Sequence, residues 1–139
     1  MGLDFSRRYM REYARSGRRA VVGSADALPF PAQSFDSVWT IGLLHHLPDS
    51  AAAQTIGEMV RVCRPGGVVV VVDAVLPLSA WRRPLAYLLR RLDRGRFVRA
   101  EEPLQSMLAA GIPFLKKVRR VTFSLNGMEL LTCWAQILR

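Results

Sequence analysis

Polar and ionisable side chains gather in four short stretches: Asp4-Phe5-Ser6, Gly23 to Asp26, Thr40 to His46 and Asp73 to Val75. Each stands at the end of a stretch that reads as a strand or the last residues of one. In an open α/β sheet, ligands sit beyond the carboxyl ends of the strands. An acidic residue ending a strand can hold both hydroxyls of a ribose, and a loop such as Ser24-Ala25-Asp26 offers backbone N–H and polar groups to a purine edge. These are the components of a nucleoside site. Cys63 and Cys133 lie far apart with no metal-ligand spacing, so they read as structural thiols and not as a disulfide framework.

The elements that must carry these groups follow from periodicity. Gly2-Leu3-Asp4 reads as the end of a strand, and Ser6 as the N-cap of a helix from about Arg7 to Ser16, closed by Gly17. Met10, Tyr13 and Ala14 share one helical face, with Arg7, Arg8, Arg11 and Arg15 elsewhere. Ala20-Val21-Val22 is a short buried strand, and 24–34 a loop punctuated by Pro29 and Pro31. Phe35 to Ile41 is the next strand. Pro48, Asp49 and Ser50 introduce a helix from about Ala51 to Cys63, and Pro65-Gly66-Gly67 stops it. Val68 to Val72 shows no alternation, as expected of a strand covered on both faces. Gly23 to Asp73 is thus a βαβ unit, and the rest of the chain flanks it.

Beyond Asp73, a helix from about Pro84 to Leu92 is expected, with Leu85, Leu88, Leu89 and Leu92 opposite Arg83, Arg90 and Arg91. A further helix spans about Glu101 to Ala110, ending at Gly111. Val118 to Leu125 and Met128 to Leu138 are strands about the hairpin signal Asn126-Gly127.

With 139 residues, half of them hydrophobic, the chain is one packed domain and not a disordered one. No run approaches the roughly 18–20 apolar residues of a membrane span. The N-terminal stretch lacks a signal peptide's apolar core, so a cytoplasmic location is expected. The net charge of +9 is spread as pairs such as Arg7-Arg8, Arg18-Arg19 and Arg119-Arg120. That dispersal argues for solvated faces and against nucleic acid, with an anionic partner or substrate as the alternative.

Four pieces in order, GLDFS, GSADALPFPAQSFDSVW, IGLLHHLPD and RVCRPGGVVVVVD, resemble a class I S-adenosylmethionine-dependent methyltransferase of the small-molecule type. The resemblance covers roughly residues 1 to 76, with weaker similarity in the terminal hairpin. It implies an α/β, Rossmann-like fold with a mostly parallel sheet and a terminal antiparallel hairpin. It implies a single methyltransferase-like domain over 1–139, with 76–112 a substrate-side insertion between the family's fifth and sixth strands. It also implies S-adenosylmethionine as cofactor. By that resemblance Asp4 binds the ribose hydroxyls and Phe5 lies against the adenine. Ser24 and Ala25 meet the adenine edge beside Asp26 and Leu28. Thr40, Ile41 and Gly42 run under the methionine portion. His45 and His46 stand at the mouth of the substrate cleft, as candidates for a base where the acceptor must lose a proton.

Two departures qualify the match. Ser24 stands where the family usually has Asp, replacing a charged acceptor by a neutral one, with Asp26 two residues on as a substitute. More gravely, the family's first strand, glycine-rich loop, first helix and most of its second strand have no counterpart, and no G-x-G occurs. The first strand belongs between the second and fourth, so unpaired edges and an uncovered apolar surface are expected. A misassigned start, a remnant that no longer binds cofactor, and a sheet restored by a second chain, as in a homo-oligomer, are the accounts.

The leading expectation is methyl transfer to a small-molecule or lipid-like acceptor chosen by the segment from Leu76 to Phe97. Residues 80–99 also suit peripheral contact with a membrane surface. The alternative is a non-catalytic, basic binding or interaction protein using Arg83 to Arg99.

Overall fold

The computed structural model describes residues 1–78, 81, 84, 87–88, 96–112, 117–122 and 129–137. Two sheets make up the fold. Strands β1 (Gly2–Asp4) and β2 (Ala20–Val22) pair in parallel, Leu3 opposite Val21. Between them runs α1 (Arg7–Arg15), whose N-cap Ser6 accepts a hydrogen bond from the Tyr9 N–H at 3.4 Å. This is the predicted helix to within a residue, set by a hydroxyl that satisfies one of the first-turn amides.

The second sheet has the order β3-β4-β6-β5. Strand β3 (Phe35–Ile41) lies parallel to β4 (Cys63–Val75), while β6 (Glu129–Gln136) is antiparallel to β4 and to β5 (Lys117–Thr122). The expected parallel layer with an antiparallel end is present; the hairpin turn at Asn126-Gly127 lies outside the described residues. Helices α2 (Asp49–Val62) and α3 (Glu101–Gly111) cover one face of this sheet. Ile56 and Met59 of α2 and Leu104 and Leu108 of α3 join Val69, Val71, Leu131 and Cys133 in one buried core. The helix expected from Pro84 to Leu92 lies mostly outside the described residues.

Strand β4 begins five residues earlier than its apolar run. Instead of stopping α2, Pro65-Gly66-Gly67 forms an irregularity within the strand. Cys63 already pairs with Phe35, and the register shifts before Ser37 meets Val68. Gly66 takes φ +81°, a left-handed conformation that favours glycine. Its N–H donates to Ile137 O at 2.7 Å, and the Ile137 N–H returns to Gly67 O at 2.9 Å. The glycines therefore keep backbone pairing with the chain at the end of β6 while the register against β3 shifts.

Among the described residues β1 pairs with β2 alone and β3 with β4 alone, so the sheet is interrupted where the resemblance places another strand. The expected uncovered apolar surface is also present. Trp39 is 63% and Ile41 71% exposed, and Trp134, two strands away across Val70, is partly exposed on the same face. Val72 is therefore less covered than the unbroken valine run predicts, while Val70 between the two tryptophans stays buried. No helix of the described residues is long and apolar enough to cross a membrane.

Candidate functional site

Asp4 closes β1 and shapes the first part of the site. Its Oδ1 accepts the Ser6 N–H at 2.7 Å, fixing the turn into α1. Its other carboxylate oxygen has no partner among the described residues. The Gly23 N–H donates to Asp4 O at 3.1 Å, which brings the ends of β1 and β2 together. Phe5, beside the carboxylate, is 81% exposed, an aromatic ring with no core to fill.

The loop after β2 is a compact polar turn. Ser24 and Ala27 form an antiparallel bridge, and the Ser24 hydroxyl donates to Asp26 Oδ1. Ser24 and Asp26 thus act as one polar unit, with the charge on the second residue. The loop is fastened to α2 by groups that the sequence reading overlooked. Glu58 Oε2 accepts the Leu28 N–H at 2.8 Å, while Arg61 donates to Phe30 O at 2.9 Å and Leu28 O at 3.0 Å. Glu58 and Arg61 also bond each other at 2.6 Å. Arg61 holds the Glu58 carboxyl below its ordinary pKa, and Glu58 raises that of Arg61. The signal was an acid three residues before a base on one helix, a pattern that surface helices share.

At the end of β3 the three expected residues separate. Thr40 is buried, Ile41 is exposed, and Gly42 turns the chain with φ +64°, its N–H donating to Val72 O at 2.8 Å. A 3₁₀ turn, Leu44–His46, follows. Here the two histidines part company. His46 is exposed. His45 is buried, its Nδ1 2.5 Å from Asp73 Oδ1 and its backbone N–H 3.2 Å from Asp73 Oδ2. Asp73 is itself fully buried near the end of β4 and also accepts the Ala74 N–H at 2.6 Å. A buried carboxylate requires such partners.

Arg99 holds the same turn from the other side. Its guanidinium donates to Leu44 O and Leu47 O, each at 2.8 Å, and to Asp49 Oδ1 at 2.6 Å. The Phe97 N–H reaches His45 O at 3.0 Å, and the Leu76 N–H reaches Arg99 O at 2.9 Å. Chain leaving β4 at Leu76 and chain returning at Arg99 are therefore pinned side by side next to the histidine turn. A cavity of about 400 Å³ lies there, lined by Leu76, Pro77, Leu78, Ala100, Glu101 and Gln105 among others. Asp73 stood among the strand-end residues in the sequence, but nothing there paired it with His45, 28 residues away. Arg99 read only as part of a basic segment.

The cysteines behave as expected of structural thiols. Both are free and buried, and burial pushes the thiol of Cys63 upward and that of Cys133 up to about 11.

The methyltransferase domain family matches residues 1–71. The 2-methyl-6-phytyl-1,4-hydroquinone methyltransferase of Synechocystis sp. is 35% identical over 98 residues, covering 66% of this chain and 30% of that protein. The 27-O-demethylrifamycin SV methyltransferase of Amycolatopsis mediterranei is 40% identical over 80 residues, covering 55% of this chain and 29% of the relative. The chain thus spans about a third of the length of these relatives. A SAM-dependent methyltransferase structure from Methanosarcina mazei superposes with a TM-score of 0.74 at 16% identity, covering 99% of this chain and 81% of that one. That likeness is one of fold.

Proposed function

The chain belongs to the methyltransferase domain family, and from that footing we propose that it serves S-adenosylmethionine-dependent methyl transfer to a small aromatic acceptor of the hydroquinone kind. The observation that carries the cofactor side is the Asp4 carboxylate. One oxygen is spent on the Ser6 amide, the other has no partner among the described residues, and the Ser24–Asp26 turn is tied beside it through Gly23. These residues fit the adenosine portion of the cofactor. Asp4 would hold the ribose hydroxyls, Phe5 would lie on the adenine, and Ser24, Ala25, Asp26 and Leu28 would meet its edge. Asp26 would supply the charge that Ser24 lacks. Thr40, Ile41 and Gly42 would border the methionine portion, with backbone more than side chain, since Thr40 is buried and Gly42 has none.

S-adenosylmethionine, when bound, supplies an electrophilic methyl group on a sulfonium that leaves as a neutral thioether. The protein's part is to orient the acceptor and exclude water. The hydroquinone class rests on the relatives, whose names specify a hydroquinone ring bearing a phytyl chain and a demethylated oxygen of rifamycin SV. Leu76, Pro77 and Leu78 beside the cavity at the end of β4 suit the apolar part of such a molecule. In this reading 76–112 is the acceptor-side insertion of a single domain.

A second reading has one observation in its favour. The edges of β1 and β3 that have no partner among the described residues fit a non-catalytic binding protein as well as an enzyme. Incubation with methyl-labelled S-adenosylmethionine and a reduced methyl-naphthohydroquinone separates the two. Label in the extracted quinol, lost with Asp4→Asn, supports the enzyme; binding of the quinol without label transfer supports the second reading.

A further inference from the structure

We infer that the outer edge of β2 is a docking groove for an extended, acidic segment of another protein, which adds to the sheet as a further strand beside α1. Strand β2 pairs with β1 on one side only among the described residues. On that side the Gly2 N–H donates to Arg19 O at 2.9 Å, and the Gly23 N–H to Asp4 O at 3.1 Å. Alternate residues of a strand turn their backbone groups to opposite sides, so Val21 faces β1 together with Arg19 and Gly23. Ala20 and Val22 turn N–H and C=O the other way, where they have no partner among the described residues.

A groove of about 460 Å³ lies along that edge, between Ala20 and Val22 of the strand and Arg7, Met10, Arg11 and Ala14 of the helix. Its lining is apolar between the arginines: Met10 is buried, while Ala14 and Val22 are exposed. Helix α1 leaves the end of β1 and returns to the start of β2, so it runs back along both strands. The Tyr13 ring accordingly lies against Gly2, the residue paired with Ala20. Arg7 therefore stands towards Val22 and Arg11 towards Ala20. Both arginines are exposed, and neither has an ion-pair or hydrogen-bond partner among the described residues. Glu12, the acid of this helix, is taken by Arg8.

Spacing and charge select the occupant. Four helical residues rise about 6 Å, and two strand residues about 6.7 Å. Arg7 and Arg11 thus match side chains two apart on the face of an added strand that looks towards α1. Carboxylates at those positions each meet a guanidinium fork, and β-branched residues between them keep the segment extended. Residues 7–19 carry six arginines against one glutamate. A second copy of this chain would bring those like charges together. A nucleic acid or a lipid headgroup is anionic but cannot continue the backbone ladder from Ala20 and Val22. The other role open to arginines at a strand edge is to keep it from pairing at all.

The full chain is titrated with a fluorescein-labelled octapeptide of alternating glutamate and valine, and with versions carrying glutamine or lysine in place of glutamate. Fluorescence anisotropy should show saturable binding of the glutamate peptide, about tenfold weaker in the glutamine version, since one exposed ion pair is worth up to about fivefold. Arg7→Glu/Arg11→Glu should reverse the preference and take the lysine peptide over the glutamate one. Hydrogen exchange reads the backbone: the Ala20 and Val22 amides should slow on binding, with Val21 changed little. The peptide series and the exchange need no variant. No saturable binding at millimolar peptide, or equal affinity for all three peptides, overturns the inference and leaves the arginines as guards of the edge. Charge preference without protection of Ala20 and Val22 also overturns it, because the peptide then touches the helix alone. A dimer in light scattering that the glutamate peptide does not dissociate would put a second copy on the edge, with the same consequence.

Discussion

At the level of single residues, the site divides into groups with hydrogen-bonding capacity left over and groups whose capacity is used. Asp4 has one carboxylate oxygen engaged and one without a partner among the described residues, while Asp73 is satisfied entirely within the protein. The sequence presents both as acids near strand ends and cannot tell them apart, because the difference lies in what each faces across the fold. The two histidines are a sharper case. They are neighbours in the chain, yet one turn of 3₁₀ helix buries His45 and leaves His46 in solvent. The cysteines were legible because burial of a thiol needs no partner. With its thiol pushed up to about 11 by burial, Cys133 forms almost no thiolate at neutral pH. In the native protein it should resist iodoacetamide, and mass spectrometry should find it alkylated only after denaturant is added. Rapid modification of the folded chain would contradict its placement on β6 against Val71.

The elements were read well wherever one face repeats with a fixed period, and poorly where glycine and proline had two meanings. The α1 helix, β3 and α3 lie within a residue or two of expectation, since caps and apolar spacing determine them locally. Pro65-Gly66-Gly67 is a frequent helix stop, and only the partners Phe35 and Ile137 on either side make it part of a strand. A Cβ on Gly67 would stand 2.8 Å from Asp36 O and 2.9 Å from Arg64 O, both backbone atoms. Gly67→Ala should therefore cost about 1–3 kcal/mol in urea unfolding, whereas a surface glycine with open space such as Gly57 should tolerate the same change. The Glu58–Arg61 tie makes a pH prediction. Because Arg61 lowers the folded-state pKa of Glu58 below its ordinary 4.5, the stabilisation is present above that value and disappears as pH falls through the lowered pKa. Melting curves of wild type and Glu58→Gln should differ at neutral pH and converge in acid. The same variant should expose the Leu28 amide to faster hydrogen exchange, because that amide loses its acceptor.

For the molecule as a whole, the family was legible because its motifs are linear, four short pieces in a fixed order. The split between the two sheets was legible from the same source, as a strand without a counterpart. What escaped the sequence was how the two halves of the site are braced. Glu58 and Arg61 hold the nucleoside loop to α2, and Arg99 holds the histidine turn to the chain that returns beside the end of β4; these contacts join residues about 30 and 50 positions apart. Such ties depend on tertiary placement and leave no local pattern. The exposed Trp39, Ile41 and Trp134 face is the molecular-scale counterpart of the split. The central claim, that the ends of β1 and β2 form a working adenosine site, is tested most directly by isothermal calorimetry with S-adenosylhomocysteine. Saturable binding is expected, weakened about ten- to hundredfold in Asp4→Asn, as loss of a charged hydrogen-bond acceptor requires. No binding at millimolar ligand, or equal binding by the folded variant, would contradict it.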